Sequence, residues 1–170
     1  MITKKNLPLI VFSDDLSSWF GGAIKAHTKG NYNHVMIQHK IDKFATQNPG
    51  GYKEVPISMY KDNDHRLKYV YIDMPKADKK KILRDIDEDL KEGWFSRGYD
   101  YIGILGQFLG KFIPPLKYIN NPWKSFCSEK VTSYYKDYLD LPDKLSPSGL
   151  NKFLKESDKA IVYARYTPED

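Results

Sequence analysis

Strand signals fill this chain almost without a break up to Met74, and helix signals take over from Lys76. Leu7–Phe12, Tyr32–His39, Asp42–Gln47 and Leu67–Met74 are rich in β-branched and aromatic residues, the side chains that suit a pleated surface. Turn signals separate them: Lys29-Gly30-Asn31 and, more strongly, Asn48-Pro49-Gly50-Gly51. One short helix interrupts the run, capped by Asp14 or Asp15 and continuing through Trp19, Phe20, Ile24 and Ala26. Val55–Met59 reads as a short strand or an ordered loop. A parallel sheet needs a helical crossover between successive strands, and that alternation is missing here. The expected class is therefore α+β, with a mainly antiparallel sheet packed against helices.

The helical half begins at Lys76, where Ile82, Leu83, Ile86 and Leu90 share one face and Gly93 ends the pattern. Tyr99–Phe112 reads as a second helix despite Gly103, Gly106 and Gly110, and Pro114-Pro115 stops it. A third begins near Cys127, with Val131, Tyr134, Tyr135, Tyr138 and Leu139 at helical spacing. Ser146-Pro147-Ser148-Gly149-Leu150 opens a fourth, and Ala160–Tyr166 is a final strand. There is no internal repeat, low-complexity tract or long linker, so residues 1–170 are expected to form a single domain.

Composition narrows the function classes. With 41% hydrophobic and 29% charged residues the chain is globular. A single cysteine excludes a disulfide framework and a multi-cysteine metal site. The net charge of +5 and pI near 9.0 would suit nucleic acid or an anionic surface. However, the lysines are interleaved with acids. The densest run, Lys79-Lys80-Lys81, is followed by Asp85, Asp87, Glu88 and Asp89, which reads as a solvated helix face. No nucleic-acid partner is expected.

The N-terminal Leu7–Phe12 run is too short for a signal peptide and lacks a cleavage site; Tyr101–Ile119 is too broken to span a bilayer. These features point to the cytoplasm of the producing cell and suit a bacterial or phage protein.

The chemistry-bearing candidates are Cys127 and His34. Cys127 lies in Ser125-Phe126-Cys127-Ser128-Glu129, at an expected helix start. Free N–H groups and the positive end of the macrodipole favour thiolate there. His34 lies in Tyr32-Asn33-His34-Val35-Met36-Ile37, a strand. A helix-start thiol and a strand imidazole far apart in sequence are the parts of a thiol–imidazole nucleophile pair. His27, His39 and His65 do not join His34 as metal ligands: His34 and His39 differ by five and face opposite sides of a strand, and no acid–histidine motif accompanies them. No metal and no cofactor are expected. Glu129 is read as a helix-start residue that complements the dipole.

The motif order Tyr32–Ile37, Phe44–Gly51, Tyr99–Gly103, Phe126–Val131 and Ser146–Leu150 resembles the circularly permuted branch of the NlpC-like papain-fold amidases and peptidases, in which the histidine strand precedes the cysteine helix. That resemblance implies Cys127 as nucleophile, His34 as base, and a polar third residue on the following strand to orient the imidazole. The strand reads Phe44-Ala45-Thr46-Gln47 and offers no acid. Gln47 is the candidate through its amide oxygen, with Thr46 the alternative if the register shifts by one residue. The Tyr99 region lies near the nucleophile in that family, while its ordinary reading is a core aromatic.

The implied activity is cysteine-dependent hydrolysis of an amide bond, in a cell-wall peptide or an isopeptide, through a Cys127 acyl-enzyme. The alternatives are a lipid acyl hydrolase or acyltransferase on the same fold, and an inactive binding module. The expected partner is thus a peptide, isopeptide or acyl substrate.

Overall fold

The computed structural model describes residues 2–16, 31–48, 51–62, 64–92, 126–142 and 145–167. They contain six strands: β1 (Leu9–Asp15), β2 (His34–Lys40), β3 (Lys43–Asn48), β4 (Gly51–Pro56), β5 (His65–Ile72) and β6 (Ala160–Tyr166). Three α-helices accompany them, α1 (Lys76–Glu92), α2 (Phe126–Tyr135) and α3 (Pro147–Glu156), with 3-10 turns at Lys4–Asn6 and Ile57–Tyr60. The strands form one sheet in the order β4-β3-β2-β1-β5-β6. All five strand pairings are antiparallel. The α+β class with an antiparallel sheet therefore holds.

Period-two alternation divides the strand residues between two buried faces. Ile10, Phe12, Val35, Ile37, Ala45, Val70 and Ile72 face the helices, where they pack with Ile82, Ile86, Val131, Tyr135, Leu150 and Leu154. Leu9, Val11, Met36, Phe44, Leu67 and Tyr69 form the second cluster, joined by Leu7, Val55, Ile57 and Tyr60. Each fully buried aliphatic or aromatic side chain contributes about 1.5–3 kcal/mol. Residues such as Ile10, Phe12, Met36, Ile37 and Phe44, all at 1% exposure or less, thus anchor β1, β2 and β3 at the centre.

Several boundaries differ from the sequence reading. The first strand starts at Leu9 and runs on through Ser13, Asp14 and Asp15. Ser13 and Asp14 are carried inside by their neighbours, since Ser13 pairs with His34 on β2 and Asp14 with Arg66 on β5. The Gly-Gly turn region extends into a strand, β4, followed by a 3-10 turn, where a short strand or loop was expected. Gly51 opens β4 at φ 97°, a conformation that glycine adopts without steric cost. The helix from Lys76 and the final strand match their expected positions. The expected helices through Trp19 and over Tyr99–Phe112 lie outside the described residues.

The start of α3 shows local chemistry at work. Ser146 adopts an extended conformation and accepts a hydrogen bond from Gly149 N at 3.1 Å, and Pro147 occupies the first turn, where no N–H is required. Ser146→Ala should lower unfolding free energy by about 1 kcal/mol, with Ser146→Asp close to wild type, as read by urea denaturation.

Candidate functional site

His34 is the first residue of β2, and its position is fixed from the strand entry. Asn33 N donates to Ser13 O at 3.1 Å. The Asn33 side chain donates to Asp15 O at 3.1 Å and accepts from Asp15 N at 3.2 Å, which mimics a further rung of the β1–β2 ladder. Ser148 Oγ donates to Tyr32 O at 3.1 Å, tying the first turn of α3 to the same entry.

Cys127 is the second residue of α2, so the helix-start expectation holds. Packing and polar contacts position the helix. Val131 and Tyr135 enter the helix-side core. Lys130 Nζ donates to Asp89 Oδ2 on α1 at 2.5 Å, Tyr134 Oη donates to the same oxygen at 2.6 Å, and Ser128 Oγ donates to Leu145 O. Lys130 and Asp89 are each only 10% exposed, and Lys130 also lies 5.0 Å from the Tyr52 and Tyr134 ring centroids. A buried pair of this kind is costly to break from one side, because the remaining charge is left uncompensated.

The thiol is buried in the helix-side core with Val35 and Ala45. The backbone N–H groups of Val35, Ser128 and Cys127 act on the sulfur and favour thiolate. Burial outweighs them and pushes the thiol up to about 11. The helix start works in the expected direction, towards thiolate, and desolvation is the larger, opposing effect.

His34 neighbours Val35, but successive side chains leave opposite faces of a strand. Its ring stacks on Tyr60, with centroids 6.4 Å apart and an interplanar angle of 11°, and Tyr60 meets His65 edge-on at 5.1 Å. His34 Nε2 is hydrogen-bonded to Thr46 Oγ1 at 2.7 Å. Burial, with a smaller push from His65, lowers the imidazole to about 4, so the ring is neutral at pH 7. Cys127 and His34 thus approach the same short stretch of β2, the thiol packed with Val35 on the helix side and the ring on the Met36 side.

The third position changes from Gln47 to Thr46. Thr46 shares the face of Phe44 and reaches His34, whereas Gln47 falls on the face of Ala45, opposite Tyr52 on β4. Among the described residues Gln47 Oε1 is buried without a hydrogen-bond partner. The register alternative, read from the period of two, was the signal that could find Thr46. Tyr60 gave no such signal, because its 3-10 turn carries no periodicity. Tyr99 lies outside the described residues. Among the described residues, no group of three or more His, Cys, Asp or Glu side chains is placed to hold a metal ion, and no helix is long and apolar enough to cross a membrane. No family model, curated protein or solved structure matches this chain.

Iodoacetamide should label native Cys127 slowly at pH 7, with the rate climbing through pH 9–11, and rapidly once the chain is unfolded; intact mass against time checks this. His34 should titrate near 4 by NMR. Because its folded value lies below the unfolded 6.5, the unfolded chain binds the extra proton between them. Its contribution to stability is present above pH 6.5 and is lost as pH falls towards 4. Thr46→Val should displace the His34 ring resonances, and Gln47→Leu should leave them in place.

Proposed function

We propose that this chain is a cysteine-dependent hydrolase of the permuted NlpC-like, papain-fold type, cleaving an amide bond in a cell-wall peptide or isopeptide through a Cys127 acyl-enzyme. The observation that carries the reading is the seat of Cys127: the second residue of a helix, held against the strand that begins with His34, with backbone N–H groups directed at its sulfur. The histidine-before-cysteine order and the polar Thr46 partner of His34 support the same reading.

In this mechanism neutral His34 accepts the Cys127 proton as the sulfur attacks the carbonyl carbon. The N–H groups of Cys127 and Ser128 receive the developing oxyanion, a contribution of about 2.7–4 kcal/mol per donor in characterised enzymes. His34 returns the proton to the leaving amine as the C–N bond breaks. Water, deprotonated by His34, then cleaves the thioester and restores the thiol. The His34 ring and the Cys127 thiol lie on opposite faces of β2, so the step requires the strand entry at His34 to rearrange when substrate binds. A lipid ester or acyl-transfer substrate would use the same atoms.

A second reading, a domain that binds such a substrate without cleaving it, is favoured by the raised thiol and by the placement of the His34 ring on the Met36 side. The decisive assay is a panel of peptidoglycan peptides, isopeptides and acyl esters with acyl-enzyme sought by intact mass. Cys127→Ala should abolish turnover, Cys127→Ser and His34→Ala should each lower it by about 10³-fold or more, and EDTA should leave it unchanged. Turnover that survives Cys127→Ala overturns the reading. Binding without turnover or adduct assigns the chain to the second.

A further inference from the structure

The helix-side face of the sheet carries a polar cluster that the Cys127 chemistry does not use. One cross-strand row runs Val35 (β2), Phe12 (β1), Lys68 (β5) and Arg165 (β6). Lys68 is therefore a lysine in the middle of a sheet, only 3% exposed, on a face otherwise filled by Phe12, Val70 and Ile72. Its Nζ donates to Asn151 Oδ1 on α3 at 2.6 Å and lies 5.7 Å from the Phe12 ring centroid. Asn151 is itself buried, at 7% exposure.

Two further cations converge on this ammonium. Arg165 is directly opposite on the neighbouring strand, and Lys155 stands one turn along α3 from Asn151. Both oppose the charge on Lys68, which, with burial as the larger cause, brings it down to about 8. Like charges directly opposite on paired strands are destabilising, and a buried ammonium ordinarily has a carboxylate. Among the described residues none of the three cations forms an ion pair; Lys68 has a neutral amide, which takes one of its three N–H donors. Asp14 lies two residues from Phe12 on β1, with Arg66 as its cross-strand neighbour on β5. Lys68 and Asn151 are buried, whereas Arg165 and Lys155 are exposed.

We propose that Lys68, Asn151, Arg165 and Lys155 form a binding site for an anionic oxygen group, a phosphate or a carboxylate. The anion supplies the charge that Lys68 lacks and receives the fork of Arg165. Strand spacing of about 4.8 Å puts the Lys68 backbone about 10 Å from that of Val35, so the site lies on the same face as Cys127 but is separate from it. It does not depend on whether Cys127 is a catalyst.

The test compares thermal unfolding midpoints of the full chain at pH 7 in sodium phosphate, sodium acetate and sodium chloride at equal ionic strength. Phosphate or acetate should raise the midpoint of the wild type above that in chloride by about 3 °C or more at saturation, and the larger of the two shifts identifies the preferred anion. Lys68→Met should abolish the difference and Arg165→Gln should cut it by more than half, while Lys152→Gln, on an exposed part of α3, keeps it. Arg165 is exposed on an edge strand, so its variant remains informative even if Lys68→Met fails to fold. Equal midpoints of the wild type in all three salts would overturn the proposal. So would a phosphate or acetate shift that persists undiminished in Arg165→Gln.

Discussion

Period-two alternation between two buried faces constrains every other feature of this molecule. β1, β2 and β5 sit at the centre of the sheet and bury both sides, so a residue's parity decides which core it joins. A slip of one residue would exchange Phe12 with Val11 and Val35 with Met36, and would move Lys68 from the helix side to the far side. Register is consequently strongly specified. The Asn33 hydrogen bonds to Asp15 and the Ser13–His34 pairing lock it at the end where the candidate site lies.

The same parity shapes the chemistry. Cys127 reaches β2 from the helix side and packs with Val35, while His34, one residue away, leaves on the far side to meet Thr46 and Tyr60. Both groups are neutral at pH 7 for one reason, desolvation, which raises a thiol and lowers an imidazole. The two neutral groups lie on opposite faces of the sheet, the thiol packed with Val35 and the imidazole held by Thr46 and Tyr60. Lys68 shows the third case of the same physics, a cation whose ammonium form burial disfavours.

Polar contacts between elements do a separate job from the core. The Lys130–Asp89–Tyr134 network joins α2 to α1, and Ser128 and Ser148 tie α2 and the first turn of α3 to backbone carbonyls. Hydrophobic burial is non-directional and would tolerate sliding of α2 along the sheet. Directional bonds at Lys130, Tyr134 and Ser128 remove that freedom, and with it the freedom of Cys127 to move along β2.

Much of the architecture was legible in the sequence because it is local. The strand periods, the helix opening at Ser146-Pro147, the helix start at Cys127 and the absence of β–α–β alternation together pointed to an antiparallel sheet packed against helices. The family resemblance implied that His34 would take a partner from the following strand, and the period of two narrowed it to the adjacent residues Thr46 and Gln47. The choice of Thr46 over Gln47 belonged to tertiary structure, because it depends on which face of β3 meets the His34 ring. Tertiary structure also decided the state of Cys127: a helix start favours thiolate at any depth, whereas the desolvation that reverses it depends on what α2 is packed against. The pairing of Lys68 with Arg165 and Asn151 joins residues from β5, β6 and α3, and no periodicity within a single element reports on side chains that meet only when the sheet and the helix layer close together.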